Sequence, residues 1–343
     1  MFETRETTKP TPAAAPYTAS MPPVAIVATV LNEAHDIGRM VSSLLAQSPP
    51  PAEIVIVDGG STDGTWEWLA AEQLRNPILH PIRDESCSLK FCPGPVSRGR
   101  NVAIAAATSP IIATADAGCT YAPDWLANLT APIAAGRAEY ALGGTCLDPA
   151  CHSLWDLASA PFFSIRLAQS QPTKSCTARS MAFTRSLWQR IGGFPEDVLV
   201  GEDTLFDLAA RRLTPPAFPL YAKALYGPHN TFRSAAHQLA RYAFSDGMTG
   251  VRLTRLLRNA ARCLLQLAAL ALAPITLLPL AAVFLLECWY AYKRDGRFLL
   301  RYGPRALAAR FLFSVAVPWI VAVNQIHGRL APQAQTNRQN LSA

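Results

Sequence analysis

The sequence lacks the cysteine spacing of a structural zinc site and has few charged residues for its length. Its eight cysteines are scattered. None forms a CxxC pair, which argues against zinc and favours reduced thiols in a chain that faces the cytosol. Only 16% of the residues are charged, and although the formal net charge is +7, the basic residues flank apolar segments and form no Lys-rich stripe. We therefore expect contact with anionic lipid head groups and no nucleic-acid partner.

Two nucleotide-binding signatures are missing after the first apolar run, residues 24–30. No GxGxxG follows this run and no catalytic Lys or Tyr pattern appears, which argues against a nicotinamide dehydrogenase. A nucleotidyltransferase with a similar core would need a Gly-rich loop with Arg or Lys at this point. Asn32 and Glu33 occupy that place instead.

An apolar strand, helix, strand pattern is present near the start of the chain. Residues 24–30 and 54–57 are uncharged and favour β-branched types, as strands buried on both faces of a parallel sheet do. Between them, four apolar residues recur at helical spacing, namely Ile37, Val41, Leu44 and Leu45. The pattern predicts a right-handed βαβ unit in an α/β fold, with polar residues at the sheet edge where ligands bind.

The rest of the chain continues the alternation of helices and strands. Further helices are predicted over 66–74, 98–107, 151–171, 186–191 and 202–212. Further strands are predicted at 78–79, 111–115, 137–147 and 176–184. The Pro-, Thr- and Ala-rich start, residues 1–21, and the end, residues 331–343, are expected to be disordered tails.

The last quarter of the chain holds most of the apolar excess. Residues 263–286 contain no charged side chain, and this run is longer than the about 20 residues that a membrane span needs. Pro274 and Pro279 interrupt it, so a kinked span and a re-entrant hairpin are both open. A second apolar stretch, 311–326, is shorter. The alternative is a buried helical pair in a soluble protein.

Four polar clusters follow strands or begin helices. They are Asn32 with Glu33, Asp58 with Asp63, Asp116, and Glu202 with Asp203. Arg98 and Arg100 open a helix just before the Asp116 strand, where guanidinium groups and a helix N-terminus suit a diphosphate. Any one cluster alone is better explained as a helix cap or a solvated turn. Together they fall on the same predicted edge of the sheet, which favours a ligand site.

The order of these motifs resembles that of the family 2 glycosyltransferases. The matching motifs are Leu31-Asn32-Glu33, the turn from Asp58 to Thr65, Arg98-Gly99-Arg100-Asn101, Thr114-Ala115-Asp116-Ala117-Gly118, Pro123-Asp124-Trp125-Leu126, Gly192-Gly193-Phe194, Gly201-Glu202-Asp203, and Gln238-Leu239-Ala240-Arg241-Tyr242. The likeness runs from residue 24 to about residue 247. It is closest to the bacterial membrane-associated branch that builds exopolysaccharide, similar to the succinoglycan glucosyltransferases.

The resemblance implies an inverting enzyme with the GT-A nucleotide-sugar fold, a Rossmann-like mixed sheet flanked by helices. It places this domain at residues 22–230. The basic flanks and the uncharged run over 263–286 predict amphipathic and membrane-associated helices at 231–330. The donor-binding residues that it implies are Asn32, Glu33, Asp58, Asp63, Arg98, Arg100, Asn101 and Asp116. Asp116 would be the first carboxylate of a DxD motif that holds Mg²⁺ or Mn²⁺ together with diphosphate oxygens, and His229 is a candidate extra ligand.

The chain departs from the family pattern at three positions. Gly59 stands where the family often has a second Asp after Asp58, and Gly118 replaces the second Asp of the DxD motif. Gln238, Arg241 and Tyr242 resemble the family's QxxRW motif, with Tyr in place of Trp, and are expected to contact the acceptor or to gate the site. The alternative is that Arg241 and Tyr242 only pack an interfacial helix.

The resemblance selects Asp203 as the general base, with Glu202 as the second candidate. An inverting reaction needs a carboxylate within hydrogen-bond reach of the acceptor hydroxyl, on the face opposite the leaving nucleotide. The alternative is that both acids only complement the dipole of the helix that they begin.

The expected function is transfer of a sugar from a nucleotide-diphosphate sugar to a lipid-linked saccharide in exopolysaccharide or cell-surface glycan synthesis. The expected location is the cell inner membrane, with the catalytic domain in the cytoplasm. The alternative is an inactive GT-A-like membrane scaffold or a nucleotide-sugar-binding protein. Such a scaffold would have no reason to keep Asp58, Asp116 and Asp203 together.

Overall fold

The computed structural model describes residues 22–149, 153–166, 177–227, 231–293 and 299–331. In these residues the strands are Val24–Val30 (β1), Glu53–Asp58 (β2), Leu79–Arg83 (β3), Ile111–Thr114 (β4), Cys119–Tyr121 (β5), Tyr140–Leu142 (β6), Gly144–Leu147 (β7), Ile165–Arg166 (β8), Met181–Thr184 (β9) and Lys223–Tyr226 (β10). The helices are Ile37–Leu45 (α1), Thr65–Gln73 (α2), Pro95–Ala106 (α3), Trp125–Ala134 (α4), Leu154–Ser159 (α5), Arg185–Ile191 (α6), Glu202–Leu213 (α7), Phe232–Met248 (α8), Leu253–Leu272 (α9), Leu278–Lys293 (α10) and Pro304–Leu330 (α11).

The central sheet has six strands in the order β3-β2-β1-β4-β9-β6. The strands β1 to β4 are parallel, and β9 runs antiparallel to both of its neighbours, so the sheet is mixed as predicted. Val27 at the centre of β1 pairs with Val55 of β2 and with Thr114 of β4. All three are fully or almost fully buried, because helices cover both faces of the sheet.

The core lies in two layers on either side of this sheet. On one face, α1 buries Ile37, Val41 and Leu44 completely against the sheet, at the spacing that the sequence predicts. On the other face, α3 packs together with a stacked aromatic pair, Phe194 and Phe206, whose ring centroids are 4.3 Å apart.

A second sheet of four strands, in the order β5-β10-β7-β8, lies beside the first. The predicted single strand over 137–147 is therefore wrong, since the chain leaves the central sheet at Gly143 and continues in the second sheet as β7. A side chain at Gly143 would collide with the Ser180 hydroxyl and with the carbonyl oxygen of Ala222. The crossing point thus depends on the absence of a Cβ atom.

The predicted helix over 151–171 is also wrong in length. It ends with α5, and a 3₁₀ turn follows at Ala160–Phe163. Pro161 has no N–H to continue the helix, and Ser164 takes a left-handed φ of 61° that turns the chain into β8. The two ends of the predicted helix lie outside the described residues.

The C-terminal helices α8 to α11 pack against one another and against α5. Residues 263–286 do not form one continuous helix, because α9 ends before Pro274 and α10 begins at Leu278. The two helices contact each other, as both the hairpin and the helical-pair alternatives require. Of the described helices, α11 alone has the length and composition of a membrane span, and half of its most apolar stretch is buried inside the protein.

Candidate active site

The carboxyl ends of three neighbouring strands bring the predicted clusters to one edge of the central sheet. Asn32 and Glu33 follow β1, Asp58 ends β2, and Asp116 follows β4. Because these strands are parallel and β1 lies between the other two, their ends meet at the same edge.

Two turns at this edge are joined by hydrogen bonds. Asn32, with a left-handed φ of 55°, donates its backbone N–H to the Ser61 hydroxyl at 2.8 Å and accepts at its side-chain oxygen from the N–H of Thr62 at 2.9 Å. Asp63 accepts from the N–H of Ala34 at 3.0 Å. The side chains of Asn32 and Asp63 therefore shape the edge by holding the two turns together.

Asp58 is fully buried at the start of the second turn. Its Oδ1 accepts from the backbone N–H groups of Gly60 and Ser61, each at 2.8 Å. Its Oδ2 is buried and has no hydrogen-bond partner among the described residues. A buried carboxylate oxygen without a donor is costly, so this position favours a ligand that can donate a hydrogen bond.

The edge carries concentrated negative charge. Burial, together with the neighbouring carboxylates of Asp36, Asp63 and Asp116, raises the pKa of Glu33 to about 6. Mutual repulsion of this kind is relieved by a bound cation.

Arg100 connects the sheet edge with the start of α7. Its guanidinium donates to Asp116 Oδ1 and to Glu202 Oε1, each at 2.6 Å, and its side chain is only 3% exposed. The sequence predicts that Arg100 holds a diphosphate. The structure shows that its charge is already balanced by two carboxylates that lie far from it in sequence.

The two other polar residues at the start of α3 also have protein partners. Arg98 donates to the Ser86 hydroxyl at 3.0 Å and forms an ion pair with Glu196. Asn101 donates to the carbonyl oxygen of Phe194 at 2.8 Å and accepts at Oδ1 from the N–H of the same residue at 2.9 Å. Asn101 thus anchors the loop that follows α6.

The acids at the start of α7 face different partners. Gly201, with φ of 88°, ends the preceding loop. Glu202 accepts a hydrogen bond from the Arg100 guanidinium. Burial raises the pKa of Glu202, and the positive charge of Arg100 acts to lower it. Asp203 accepts at Oδ1 from the N–H of Thr204 at 2.6 Å and at Oδ2 from the N–H of Ala178 at 3.4 Å.

An open cleft of about 340 Å³ lies between the sheet edge, the start of α7 and one face of α8. It brings together Glu33, Arg100, Asp116, Glu202 and Asp203 with the three residues of the predicted acceptor motif, Gln238, Arg241 and Tyr242. Asn32, Asp58, Asp63, Arg98 and Asn101 do not line this cleft.

Sequence reasoning missed Arg179, which also lines the cleft. Arg179 lies in a 3₁₀ turn, Ala178–Ser180, directly before β9. The sequence predicts a strand over 176–184, which would include this turn. The sequence contains one signal for this residue, namely an Arg directly before an apolar strand that is expected to be buried. At such a position the charged side chain cannot reach the protein surface. It also missed Asp246, which pairs with Arg252 and Arg255 on the far side of the cleft.

A divalent cation fits this site only together with a bound diphosphate. The described residues contain no group of three metal-ligating side chains. Gly118, which has a left-handed φ of 75°, stands at the place of the second Asp of the DxD motif. Asp116 is therefore the one acid of that motif. Mg²⁺ commonly takes one or two carboxylates and completes its shell with phosphate oxygens and water. His229 lies outside the described residues.

Residues 25–191 match the family model described as glycosyl transferase family 2. Over 106 residues the chain is 36% identical to the succinoglycan biosynthesis protein ExoU of Rhizobium meliloti, an alignment that covers 31% of this chain and 29% of that relative. Over 230 residues it is 24% identical to the glycosyltransferase AglE of Haloferax volcanii, covering 62% of this chain and 68% of the relative.

Among solved structures, the mannosyltransferase PcManGT of Pyrobaculum calidifontis, in complex with GDP-Man and Mn²⁺, resembles this chain with a TM-score of 0.54. The sequences are 22% identical, and the match covers 92% of this chain and 90% of that structure. At this level of sequence identity, the likeness is evidence for the fold alone. Residues 25–191 therefore match glycosyl transferase family 2, and the described residues have the GT-A fold.

Proposed function

We propose that the protein is an inverting glycosyltransferase that moves a sugar from a nucleotide-diphosphate sugar to a saccharide in exopolysaccharide or cell-surface glycan synthesis. The observation that carries this proposal is the single cleft that Asp116 and Asp203 both line, with Arg100 joining its two sides. The family 2 domain and the two relatives, a succinoglycan biosynthesis protein and a glycosyltransferase, support the same class of reaction.

The donor would bind over the turns that follow β1 and β2. Asp58 Oδ2, which has no hydrogen-bond partner among the described residues, would accept from the base or ribose, and Asp116, which lines the cleft, would lie next to the diphosphate. Asp116 would hold Mg²⁺ or Mn²⁺ with two diphosphate oxygens. When bound, the cation supplies positive charge that stabilises the leaving diphosphate. The complex of PcManGT with GDP-Man and Mn²⁺ is consistent with this assignment.

Asp203 would be the general base. An acceptor hydroxyl oxygen attacks the anomeric carbon, the bond from that carbon to the diphosphate oxygen breaks, and the hydroxyl proton passes to the Asp203 carboxylate. A single displacement of this kind inverts the anomeric centre. Glu202 is the weaker candidate, because its carboxylate is already engaged by Arg100.

The hairpin of α9 and α10 would dock the protein on a membrane. Its exposed face carries large apolar side chains that are each at least 49% exposed, namely Leu264, Leu267, Leu270, Ile275, Leu277 and Leu278. Its inner face carries an ion pair between Arg262 and Glu287, joined by Gln266. A polar interior with an apolar exterior is the arrangement that lipid favours, and arginines flank the hairpin.

This arrangement defines the proposed organisation of the chain. Residues 22–230 would form the catalytic domain in the cytoplasm, and residues 231–330 would hold it against the inner membrane. The cleft contacts α8, the first of these helices, so an acceptor carried by a lipid would reach Asp203 from the bilayer surface.

The test is a screen of radiolabelled nucleotide sugars against membranes that contain the protein, followed by lipid extraction. We expect one donor to label the lipid fraction and an excess of chelator to abolish the labelling. Binding of a nucleotide sugar without any transfer would favour the alternative, a nucleotide-sugar-binding protein. Labelling that persists in chelator would mean that arginines alone neutralise the diphosphate.

A further inference from the structure

Arg179 is a buried cation in the cleft that forms no ion pair with any carboxylate of the described residues. The other buried arginines of the cleft are paired, Arg100 with Asp116 and Glu202, and Arg255 with Asp246. Arg179 is only 8% exposed, and in the described part of the chain no carboxylate forms an ion pair with it. A buried charge without a counterion is unfavourable, which indicates a site that an anionic ligand completes.

Aromatic and hydroxyl groups orient this guanidinium without neutralising it. Its central carbon lies 4.2 Å from the ring centroid of Tyr226, and Nη2 donates to the Tyr242 hydroxyl at 3.1 Å. The same hydroxyl accepts from the side-chain amide of Gln238 at 2.8 Å. Two residues of the acceptor motif on α8 therefore fix a side chain that comes from the turn directly before β9.

This anchoring depends on Tyr at position 242. A phenol oxygen can accept hydrogen bonds from a guanidinium, whereas the indole N–H of a Trp is a donor only. With Trp at this position, Arg179 would lose its hydrogen-bond acceptor on α8.

We propose that Arg179 forms an anion subsite that holds a phosphoryl group of a substrate in the cleft. The planar fork of a guanidinium suits two phosphoryl oxygens, and Tyr226 and Tyr242 pre-orient it for that contact. The inference rests on the proposed function, which supplies two sources of the group. One is the diphosphate of the nucleotide donor and the other is the phosphate of a lipid-linked acceptor.

The test compares ligand binding by the full-length protein and by two variants with the same change in charge. Arg179→Gln removes the proposed subsite. Arg190→Gln is the control, because Arg190 lies outside the cleft and pairs with Glu139 at the surface. The probes are UDP, GDP, ADP, CDP and TDP with Mg²⁺, and a polyprenyl phosphate in detergent micelles, with affinities measured by calorimetry.

If the donor is the source, Arg179→Gln weakens binding of the nucleoside diphosphate by about tenfold to a hundredfold, and Arg190→Gln leaves it unchanged. If the acceptor is the source, the same loss appears with polyprenyl phosphate. Binding of both probe classes within twofold of the wild type would overturn the subsite. Failure of the wild type to bind any nucleoside diphosphate would instead count against the proposed function.

A second variant separates binding from folding. Tyr242→Phe keeps the charge of Arg179 and removes its anchor, so we expect a smaller loss of affinity for the same probe. The ligand should also raise the melting temperature of the wild type more than that of Arg179→Gln. An equal ligand-induced shift in both proteins would assign Arg179 a purely structural role.

Discussion

At the scale of single residues, Arg100 joins the acid that follows β4, Asp116, to an acid that begins α7, Glu202. The acids after β1, β2 and β4 are expected at one edge, because parallel strands place their carboxyl ends together. The bonds from Arg100 to Asp116 and Glu202 are not expected, since they join residues 16 and 102 positions apart. Such pairs depend on tertiary packing, which leaves no local pattern in the chain.

Arg100→Met should destabilise the protein strongly. The substitution leaves the carboxylates of Asp116 and Glu202 without their cation, and removing one member of a buried ion network costs about 3 kcal/mol or more. Urea unfolding of the variant should show this loss in the free energy of unfolding. The matched Arg190→Met, at an exposed ion pair, should lose less than about 1 kcal/mol. If both variants lost the same free energy of unfolding, the ion pairs of Arg100 with Asp116 and Glu202 would not be a major contribution to stability.

Glu53 provides a test of pH dependence outside the cleft. One of its carboxylate oxygens accepts from the backbone N–H and hydroxyl groups of both Thr108 and Ser109, at 2.6 to 3.0 Å. Burial acts to raise the pKa of Glu53, and these hydrogen bonds outweigh it, so the pKa lies below its ordinary 4.5. The folded state therefore gains stability above pH 4.5 and loses it as the pH falls further.

Glu53→Gln should remove this pH-dependent part of the stability. We expect the variant to be less stable than the wild type at pH 7 by about 1 kcal/mol, and the difference to shrink as the pH drops below 4.5. Thermal unfolding across this range measures it. A difference that stays constant with pH would contradict the assigned role of the carboxylate.

At the scale of elements, the sequence predicts regular helices and strands well and the switches between them poorly. The apolar period of α1 and the β-branched run of β1 predict both elements correctly. The division of 137–147 between two sheets is missed, because the apolar pattern continues unbroken across Gly143. At Gly143 the Ser180 hydroxyl and the Ala222 carbonyl oxygen come close to the backbone. The pattern of apolar residues carries no information about such a distance.

Gly143→Ala should lower the free energy of unfolding by about 1 to 3 kcal/mol, because its Cβ would collide with Ser180 and Ala222. Gly38→Ala is the control, since Gly38 lies inside α1 and a Cβ there would only touch Trp68 at 3.5 Å. That substitution should be neutral or stabilising by up to about 1 kcal/mol. Chemical denaturation should therefore show a lower free energy of unfolding for Gly143→Ala and an unchanged or higher one for Gly38→Ala. An unchanged free energy of unfolding in Gly143→Ala would refute the close approach of Gly143 to Ser180 and Ala222.

At the scale of the whole molecule, the distribution of polarity changes along the chain. The GT-A domain buries its apolar residues between sheet and helices, whereas the hairpin of α9 and α10 exposes leucines and buries Arg262 with Glu287. The sequence predicts an apolar segment here from its lack of charge. It cannot show which face is exposed, because that depends on how the hairpin packs against α11.

The hairpin should hold the protein on membranes through high salt, because apolar burial is not screened as charge attraction is. Changing both Leu270 and Ile275 to Glu should weaken vesicle binding by about tenfold or more. Leu74→Glu, at a still more exposed position in the catalytic domain, should have no effect. Vesicle flotation measures both, and full release of the wild type by salt alone would rule out insertion.

The central claim is that Asp203 removes the proton from the acceptor hydroxyl, and the most direct measurement is the rate of sugar transfer by Asp203→Asn. The Asn side chain keeps the size, and its one oxygen can still accept from the N–H of Thr204 or of Ala178, but it cannot take a proton. We predict that turnover falls by about 10² to 10⁴ while donor affinity changes little, and that Glu202→Gln has a smaller effect. Near-normal turnover by Asp203→Asn with a large loss in Glu202→Gln would assign the base to Glu202, and near-normal turnover by both would contradict the proposed mechanism.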